Sequence, residues 1–325
     1  MNKKLWAGVD IGGTKTAVIV SADPPHVIKR VEFATLPDDG PEPAIGKIKS
    51  SLRALLAEAG AKSASIAGIG VSCGSPLDAK RGIIQAPPNL STWIDIPIVD
   101  ILGAEFGGPV YLENDANAGA LAEHRFGAGK GTRNMVFLTM GTGFGAGIII
   151  DGRIYQGTNG NAGEIGHVRL TADGPVGYHK AGSAEGWVSG GGVAQWVTAM
   201  INDARNTGER SILTDRAREH RVTARDVGLA AAKGDDLACR IVVKLGEKLG
   251  DALAILVDIL NPERIVIGGL AMRLGELLLE PARKTLAREA LPHSVAVCEV
   301  VPAVLGESIG DVAALCIAVD AGAQA

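Results

Sequence analysis

Short apolar runs of strand character alternate along the chain with longer stretches in which apolar residues recur at helical spacing. Residues 5–9 and 16–20 are two β-like runs joined by Asp10-Ile11-Gly12-Gly13-Thr14-Lys15, which predicts a strand, a glycine turn and a returning strand. Ile45, Ile48, Leu52, Leu55 and Leu56 recur at three- and four-residue spacing up to Gly60, so a helix follows. Residues 66–72 then read as a buried strand. Between residues 74 and 97 the composition shifts to Pro76, Asp78, Gly82, Pro87, Pro88, Asn89 and Pro97, a long loop region with one β-like stretch at 82–85. A strand at 109–112 delivers Glu113-Asn114-Asp115-Ala116-Asn117 to an alanine-rich helix that ends near Phe126.

Residues 134–138 and 146–150 repeat the strand–turn–strand pattern around Met140-Gly141-Thr142-Gly143-Phe144-Gly145. This echo of the opening unit suggests a duplicated domain. Loops lead to about Gly192, and helices are predicted over 193–205 and 235–260, the second stopped by Asn261-Pro262. A strand at 264–267 ends in Gly268-Gly269, a helix runs on through Ala290, and a last helix covers 308–319. The element order is that of an α/β protein.

With 325 residues the chain is long enough for two domains at about 150 residues each. Hydrophobic residues at 46% and charged residues at 21% are ordinary globular values, which excludes disorder, collagen and coiled coil. The 44 glycines against 4% aromatic residues point to tight turns where backbone approaches something closely. A charge of 32 Lys+Arg minus 36 Asp+Glu, or −4, offers no basic footprint for nucleic acid. Cys73, Cys239, Cys298 and Cys316 show no CxxC spacing, so neither a disulfide framework nor a cysteine zinc site is encoded, and they read as small buried hydrophobes. The N-terminal segment lacks a long apolar core and no run approaches the roughly 18 apolar residues of a membrane span, which predicts a cytoplasmic protein.

Three glycine turns follow strands, at Gly12-Gly13, 141–145 and Gly268-Gly269. Exposed backbone N–H groups in such turns form a concave anion site, and glycine lets phosphate oxygens approach closely. Asp10, at the lip of the first turn, is placed to hold a hydrated Mg²⁺, and together these features point to nucleotide binding. Gly129-Lys130-Gly131 breaks the P-loop pattern, and no GxGxxG fingerprint is present. Gly70-Val71-Ser72-Cys73-Gly74 satisfies the G-x-S-x-G form of a nucleophile elbow, but a turn-rich loop follows where that elbow needs a helix. Ser72 therefore reads as a strand end.

Asp115 closes a buried strand, where an ionised carboxylate is costly unless paired or used. Two readings stand side by side for it, a general base and a helix N-cap. Beside Asn114 and Asp115, Glu164, His167 and Glu185 add three more hydrogen-bonding side chains, two of them in the glycine-rich stretch 160–167, and such a cluster suits a polyol. His26, His124, His179, His220 and His293 read as structural. Trp6 and Trp196 read as core, while Trp93 and Trp187 lie beside the substrate loops without an assigned role.

Asp10-Ile11-Gly12-Gly13-Thr14-Lys15-Thr16, Pro88-Asn89-Leu90, Glu113-Asn114-Asp115-Ala116-Asn117, Met140 to Gly145, Gly163-Glu164-Ile165-Gly166-His167 and Ile267-Gly268-Gly269 occur in the order seen in ROK-family sugar kinases, which the chain resembles over nearly its whole length. The resemblance implies two RNase H-like α/β domains, of the actin-like ATPase and sugar-kinase type, flanking a central active-site cleft. They would be a smaller N-terminal domain of residues 1–114 plus 308–325 and a larger one of 115–307. It implies ATP- and Mg²⁺-dependent phosphorylation of a hexose, usually at O6, with Asp115 as the catalytic base. Asn89, Asn114, Asp115, Glu164, His167 and Glu185 would bind the sugar. Asp10, Gly12, Gly13, Thr14, Lys15, Gly141, Thr142, Gly143, Gly268 and Gly269 would bind the nucleotide, Asp10 through water on Mg²⁺.

One departure stands out. Most family members carry a C-x-C-G-x-x-G-C-x-E zinc motif after the GH pair, and here Val176, Tyr178 and Ser183 occupy the cysteine positions. No zinc is expected, and the 176–183 loop must be held by packing or hydrogen bonds. Some relatives are repressors with a DNA-binding module before the kinase-like part, whereas this chain reaches its first glycine turn by Gly12, so no such role is expected. A sugar-sensing protein without catalysis is the alternative to a kinase. Glucose is the first expected substrate, ahead of N-acetylhexosamines, fructose, mannose and allose, and the family habit implies a homodimer.

Overall fold

Strand β1 (Leu5–Ile11) turns at Gly12 and returns as β2 (Lys15–Ser21) in antiparallel register, Asp10 opposite Ala17 and Ile11 opposite Thr16. The ladder reaches further than residues 5–9 and 16–20, so Asp10 lies in the strand and the turn shrinks to three residues. In this computed structural model, which describes residues 4–60 and 66–324, the chain divides into two units. The first comprises residues up to Gly127, Gln156–Ala162 and the chain from Leu305, and the second comprises Ala128–Tyr155 and Gly163–Val304. Helix Asp115–Phe126 goes with the first unit because it packs on the C-terminal helix, Ile309–Gln324.

The first unit adds β3 (Lys29–Ala34), β4 (Ile66–Cys73), the two-residue pair β5 (Leu77–Asp78) and β6 (Ile83–Ile84), and β7 (Val110–Asn114). Its main sheet runs β3-β2-β1-β4-β7, with β2 and β3 antiparallel and β1, β4 and β7 parallel. Strand periodicity sorts the faces. Leu5, Ala7, Val9 and Ile11 join the apolar stripe Ala44, Ile45, Ile48, Leu52, Leu55 and Leu56 of helix Pro41–Glu58 in one core, which also takes Trp93 at 0% exposure. The even positions face the C-terminal helix: a β-carbon on Gly8 would meet that of Ala314 at 2.9 Å, and one on Gly70 would lie 2.0 Å from the Ala314 carbonyl. Glycine in β1 and β4 is what lets this helix lie directly on the sheet.

In the second unit β8 (Met135–Met140) and β9 (Phe144–Ile150) form the second strand–turn–strand, followed by β10 (Arg153–Ile154), the hairpin of β11 (Val176–Gly177) and β12 (Lys180–Ala181), then β13 (Arg264–Ile267) and β14 (Glu299–Pro302). The sheet order β10-β9-β8-β13-β14 repeats that of the first unit with the same strand directions. Helix Asp236–Leu260 packs against Glu276–Glu289 over the main core, with Gly246 under Pro281 and Gly250 under Thr285. The single helix expected through Ala290 is two, Leu270–Leu274 and Glu276–Glu289, parted at Gly275 with φ 54°. Strand β3 escapes the apolar pattern because five of its six residues are exposed; it is held by edge pairing with β2, by Phe33 against the core and by ion pairs of Lys29 and Arg30.

Of the cysteines, Cys73 and Cys316 are buried and Cys239 and Cys298 are only half-buried, so the expectation of four core thiols holds for two of them. Trp93 and Trp187 are core side chains too. Among the described residues no helix is long and apolar enough to cross a membrane.

Candidate active site

At the carboxyl ends of the parallel strands of the first unit, Asp10 on β1 is paired with Ser72 on β4, and Ser72 with Glu113 on β7. In-register neighbours share a face, so this polar row lies on the side of the C-terminal helix. Strand ends of this kind are where open α/β sheets bind ligands. The Asp10 carboxyl is pushed up to about 6, first by burial and then by the charge of Asp115, and a hydrogen bond from Ser72 works against the rise. Asp311, at the head of the C-terminal helix and bound to Arg30 at 2.7 Å, adds to it.

At the strand-to-helix junction the cap falls to Asn114 and not to Asp115. Asn114 is the N-cap, its Oδ1 accepting from the backbone N–H of Asn117 at 2.8 Å, and Asp115 is the first helical residue, exposed to solvent. Buried Glu113 fixes the junction from beneath. Its Oε1 accepts from the Asn114 N–H at 2.9 Å and from Asn117 Nδ2 at 3.0 Å, and its Oε2 accepts from Gln156 Nε2 at 2.5 Å. The Asp10 carboxyl, desolvated by its surroundings and in the field of Asp115, is a hard-oxygen group whose charge a divalent cation would relieve, so it fits a water-mediated contact to Mg²⁺. In the first glycine turn the Gly12 N–H is bonded to the Lys15 carbonyl at 3.0 Å, while a β-carbon on Gly13 would lie 2.5 Å from that of Asn89. The turn and the exposed Asn89 are thus neighbours. Thr14 is exposed, and Lys15 pairs with Glu32 at 3.1 Å.

In the second unit the glycine segments converge. The Gly141 N–H closes its turn on the Gly143 carbonyl at 3.1 Å, with Thr142 exposed between them. The Gly268 N–H is bonded to the Leu138 carbonyl, and Gly269, at φ 64°, lies where a β-carbon would be 2.1 Å from the Met140 carbonyl. A fourth segment joins them: helix Gly190–Asn206 opens on three glycines capped by Ser189, and the Gly190 N–H donates to the Gly141 carbonyl at 2.8 Å. An N-terminus of this kind directs N–H groups toward an anion.

Glu164, His167 and Glu185 gather beside this turn. Gly163, at φ 93°, is seated on β9, where a β-carbon would lie 1.9 Å from the Ala146 carbonyl, and Gly166 is pressed on the Phe144 carbonyl and Glu185. The short turn Ile165–His167 therefore presents Glu164 and His167 outward, both exposed. Half-buried Glu185 accepts from the Phe144 N–H at 3.2 Å. Among the described residues no three His, Cys, Asp or Glu side chains are grouped to hold a metal ion.

Ser72, Glu113, Gln156, Gly190–Gly192 and Gly310, whose backbone lies against the Asp10 carboxylate, were not among the sequence candidates. Strand alternation would have placed Ser72 beside Asp10, and three successive glycines behind a serine are a legible helix cap. The roles of Glu113, Gln156 and Gly310 depend on tertiary contacts and left no local signal.

Two α/β units of one strand order, each opening on a strand, a glycine turn and a strand, define the class of molecule. A family model described as the ROK family matches residues 6–321. The chain is 34% identical over 312 residues to a glucokinase of Halalkalibacterium halodurans, spanning 95% of this chain and 93% of that one. It is 31% identical to a xylose repressor of Caldicellulosiruptor bescii over 86% of this chain and 69% of the relative. The crystal structure of a ROK family glucokinase from Streptomyces griseus in complex with glucose and AMPPNP superposes with a TM-score of 0.75 at 31% identity, covering 99% of this chain and 100% of that one. The chain belongs to the ROK family.

Proposed function

We propose that the protein is an ATP- and Mg²⁺-dependent hexose kinase that phosphorylates glucose at O6. The observation that carries this reading is Asp115, a solvent-facing carboxylate held on a buried hydrogen-bonded junction, with the desolvated carboxyl of Asp10 in its field. Asp115 takes the proton of the sugar hydroxyl, whose oxygen attacks the γ-phosphorus of ATP as the bond to the ADP oxygen breaks. Asn114 has its Oδ1 engaged as cap, so its amide hydrogens are what it offers the sugar, together with Asn89, Glu164, His167 and Glu185. The turns at Gly12-Gly13 and Gly141–Gly143, with Thr14, Lys15 and Thr142, supply donors to the phosphates, and Gly268-Gly269 serves the adenosine. Asp10 would hold Mg²⁺ through water; when bound, the ion neutralises charge on the β- and γ-phosphates. The duplicated 3-2-1-4-5 strand order supports an RNase H-like assignment for both units, and the family habit supports a homodimer.

The glucokinase relative and the neighbour solved with glucose and AMPPNP support glucose and ATP. The xylose repressor among the relatives favours a second reading, a sugar sensor without catalysis. ADP release from Mg-ATP across a panel of hexoses and N-acetylhexosamines, beside Asp115→Asn, separates the two. Sugar-dependent turnover that falls at least about a hundredfold in the variant is expected for a general base. Sugar binding without turnover would favour the sensor.

A further inference from the structure

The hairpin β11–β12 turns through Tyr178 and His179, which both adopt left-handed backbone, φ 41° and 64°. A two-residue turn of this form is ordinarily built from glycine or asparagine, since a β-carbon is disfavoured there. Such strain persists only where the surroundings over-determine it, and it concentrates at functional sites. Here the surroundings are the proposed sugar-binding side chains themselves. The Tyr178 ring meets the His167 ring edge-on, centroids 4.9 Å apart at 75°, and Lys180 Nζ donates to the His167 carbonyl at 2.6 Å. On the hairpin's inner edge a β-carbon on Gly177 would lie 2.5 Å from the Gly186 nitrogen and 2.8 Å from the β-carbon of Glu185. Gln195 clamps the same strand, accepting from the Val176 N–H at 3.1 Å and donating to its carbonyl at 2.8 Å.

We propose that Tyr178 is a positioning residue for sugar recognition, holding the His167 imidazole in its binding orientation while Lys180 fixes the His167 backbone. The proposal rests on the reading that His167 binds the sugar. The Tyr178 ring also lies beside that of its turn partner His179, centroids 5.6 Å apart, but that contact stays within the exposed turn, so the one that reaches outside the hairpin, to His167, accounts for a tyrosine where glycine would fit without strain.

The test compares wild type, Tyr178→Gly, Tyr178→Phe, His167→Asn and the double variant Tyr178→Gly/His167→Asn. Glycine suits the turn, so Tyr178→Gly should fold with an unchanged or higher melting temperature. Its KM for glucose should rise roughly threefold to tenfold, the worth of one aromatic edge-to-face contact, with the KM for ATP unchanged. Phenylalanine should restore the wild-type value, and in the His167→Asn background the glycine change should add nothing. An unchanged glucose KM in Tyr178→Gly, or an equal rise in both backgrounds, overturns the proposal. If wild type shows no sugar-dependent turnover, or His167→Asn leaves the glucose KM unaltered, the sugar-binding reading itself fails. NMR of the histidine side chains then decides the contact alone. The ring resonances lost in His167→Asn should move in Tyr178→Gly, and if they stay in place Tyr178 does not hold the ring.

Discussion

The carboxylate of Asp10 lies against the backbone of Gly310, where a β-carbon would be 2.3 Å from Oδ2. The first strand of the chain and the first turn of its last helix thus meet at the proposed magnesium-bearing residue. Alanine in place of glycine inside a helix ordinarily adds about 0.5–1 kcal/mol. At residue 310 it must instead displace the carboxylate, so Gly310→Ala should lose stability and lower kcat at least about tenfold, since a misplacement of about an ångström is costly in an active site. Thermal melting read beside initial rates checks this, and a more stable, fully active variant would contradict it.

The raised carboxyl of Asp10 has a signature in stability. Its folded value of about 6 exceeds the ordinary 3.8, so between those values the folded state holds more protons than the unfolded one. Stability in magnesium-free buffer should therefore fall as pH rises from about 4 through about 6. Asp10→Asn should abolish this slope and be about 3 kcal/mol more stable than wild type near pH 7, with little advantage near pH 4. Urea unfolding at the two pH values measures the difference.

Glu113, 6% exposed, accepts three hydrogen bonds beneath Asp115. Glu113→Gln faces Gln156 Nε2 with a second donor until the Gln156 amide turns over, and it replaces a charged acceptor of three bonds by a neutral one, at a cost of about 1–3 kcal/mol. Catalysis should fall with it, because the Asn114–Asp115 backbone loses its fixed position. The swap Glu113→Gln/Gln156→Glu restores a donor–acceptor match and should recover part of both losses. Equal kcat in single and double variants would show that the junction does not depend on this pair.

Away from the site, Asp226 completes the capping box of helix Ala224–Ala231, whose N-cap is Thr223. Burial alone would raise its carboxyl, but bonds from the Thr223 N–H and hydroxyl and from Arg216 outweigh that and hold it at about 2. A folded value below the ordinary 3.8 means that the stabilisation is present above about pH 4 and disappears as pH falls through about 2. Asp226→Asn should cost about 2 kcal/mol at pH 7 and little near pH 2, read by denaturant titration at both.

Much of this architecture was legible in the chain. Strand–glycine–strand units, the helix opening at Asp115 and the stop at Asn261-Pro262 are written in local periodicity and turn chemistry, where the deciding neighbours lie within a few residues. The family motifs are local in the same way. Helix Ile98–Phe106 and strand β14 were missed because short segments give periodicity too few positions to register. For Asp115 the sequence offers base and cap alike because both suit the same residue type, and the bond from the Asn117 N–H to Asn114 removes only the cap.

By itself the sequence determined the order of elements, the duplication and the residue types of the site, since these depend on propensities and patterns that each segment carries alone. Tertiary structure decided their chemistry. It set Asp10 against a helix from the far end of the chain, brought Gly190 to Gly141, and set the Tyr178 ring against His167. Desolvation, close backbone approach and ring contact are sums over atoms supplied by distant segments, and no window of sequence contains those sums.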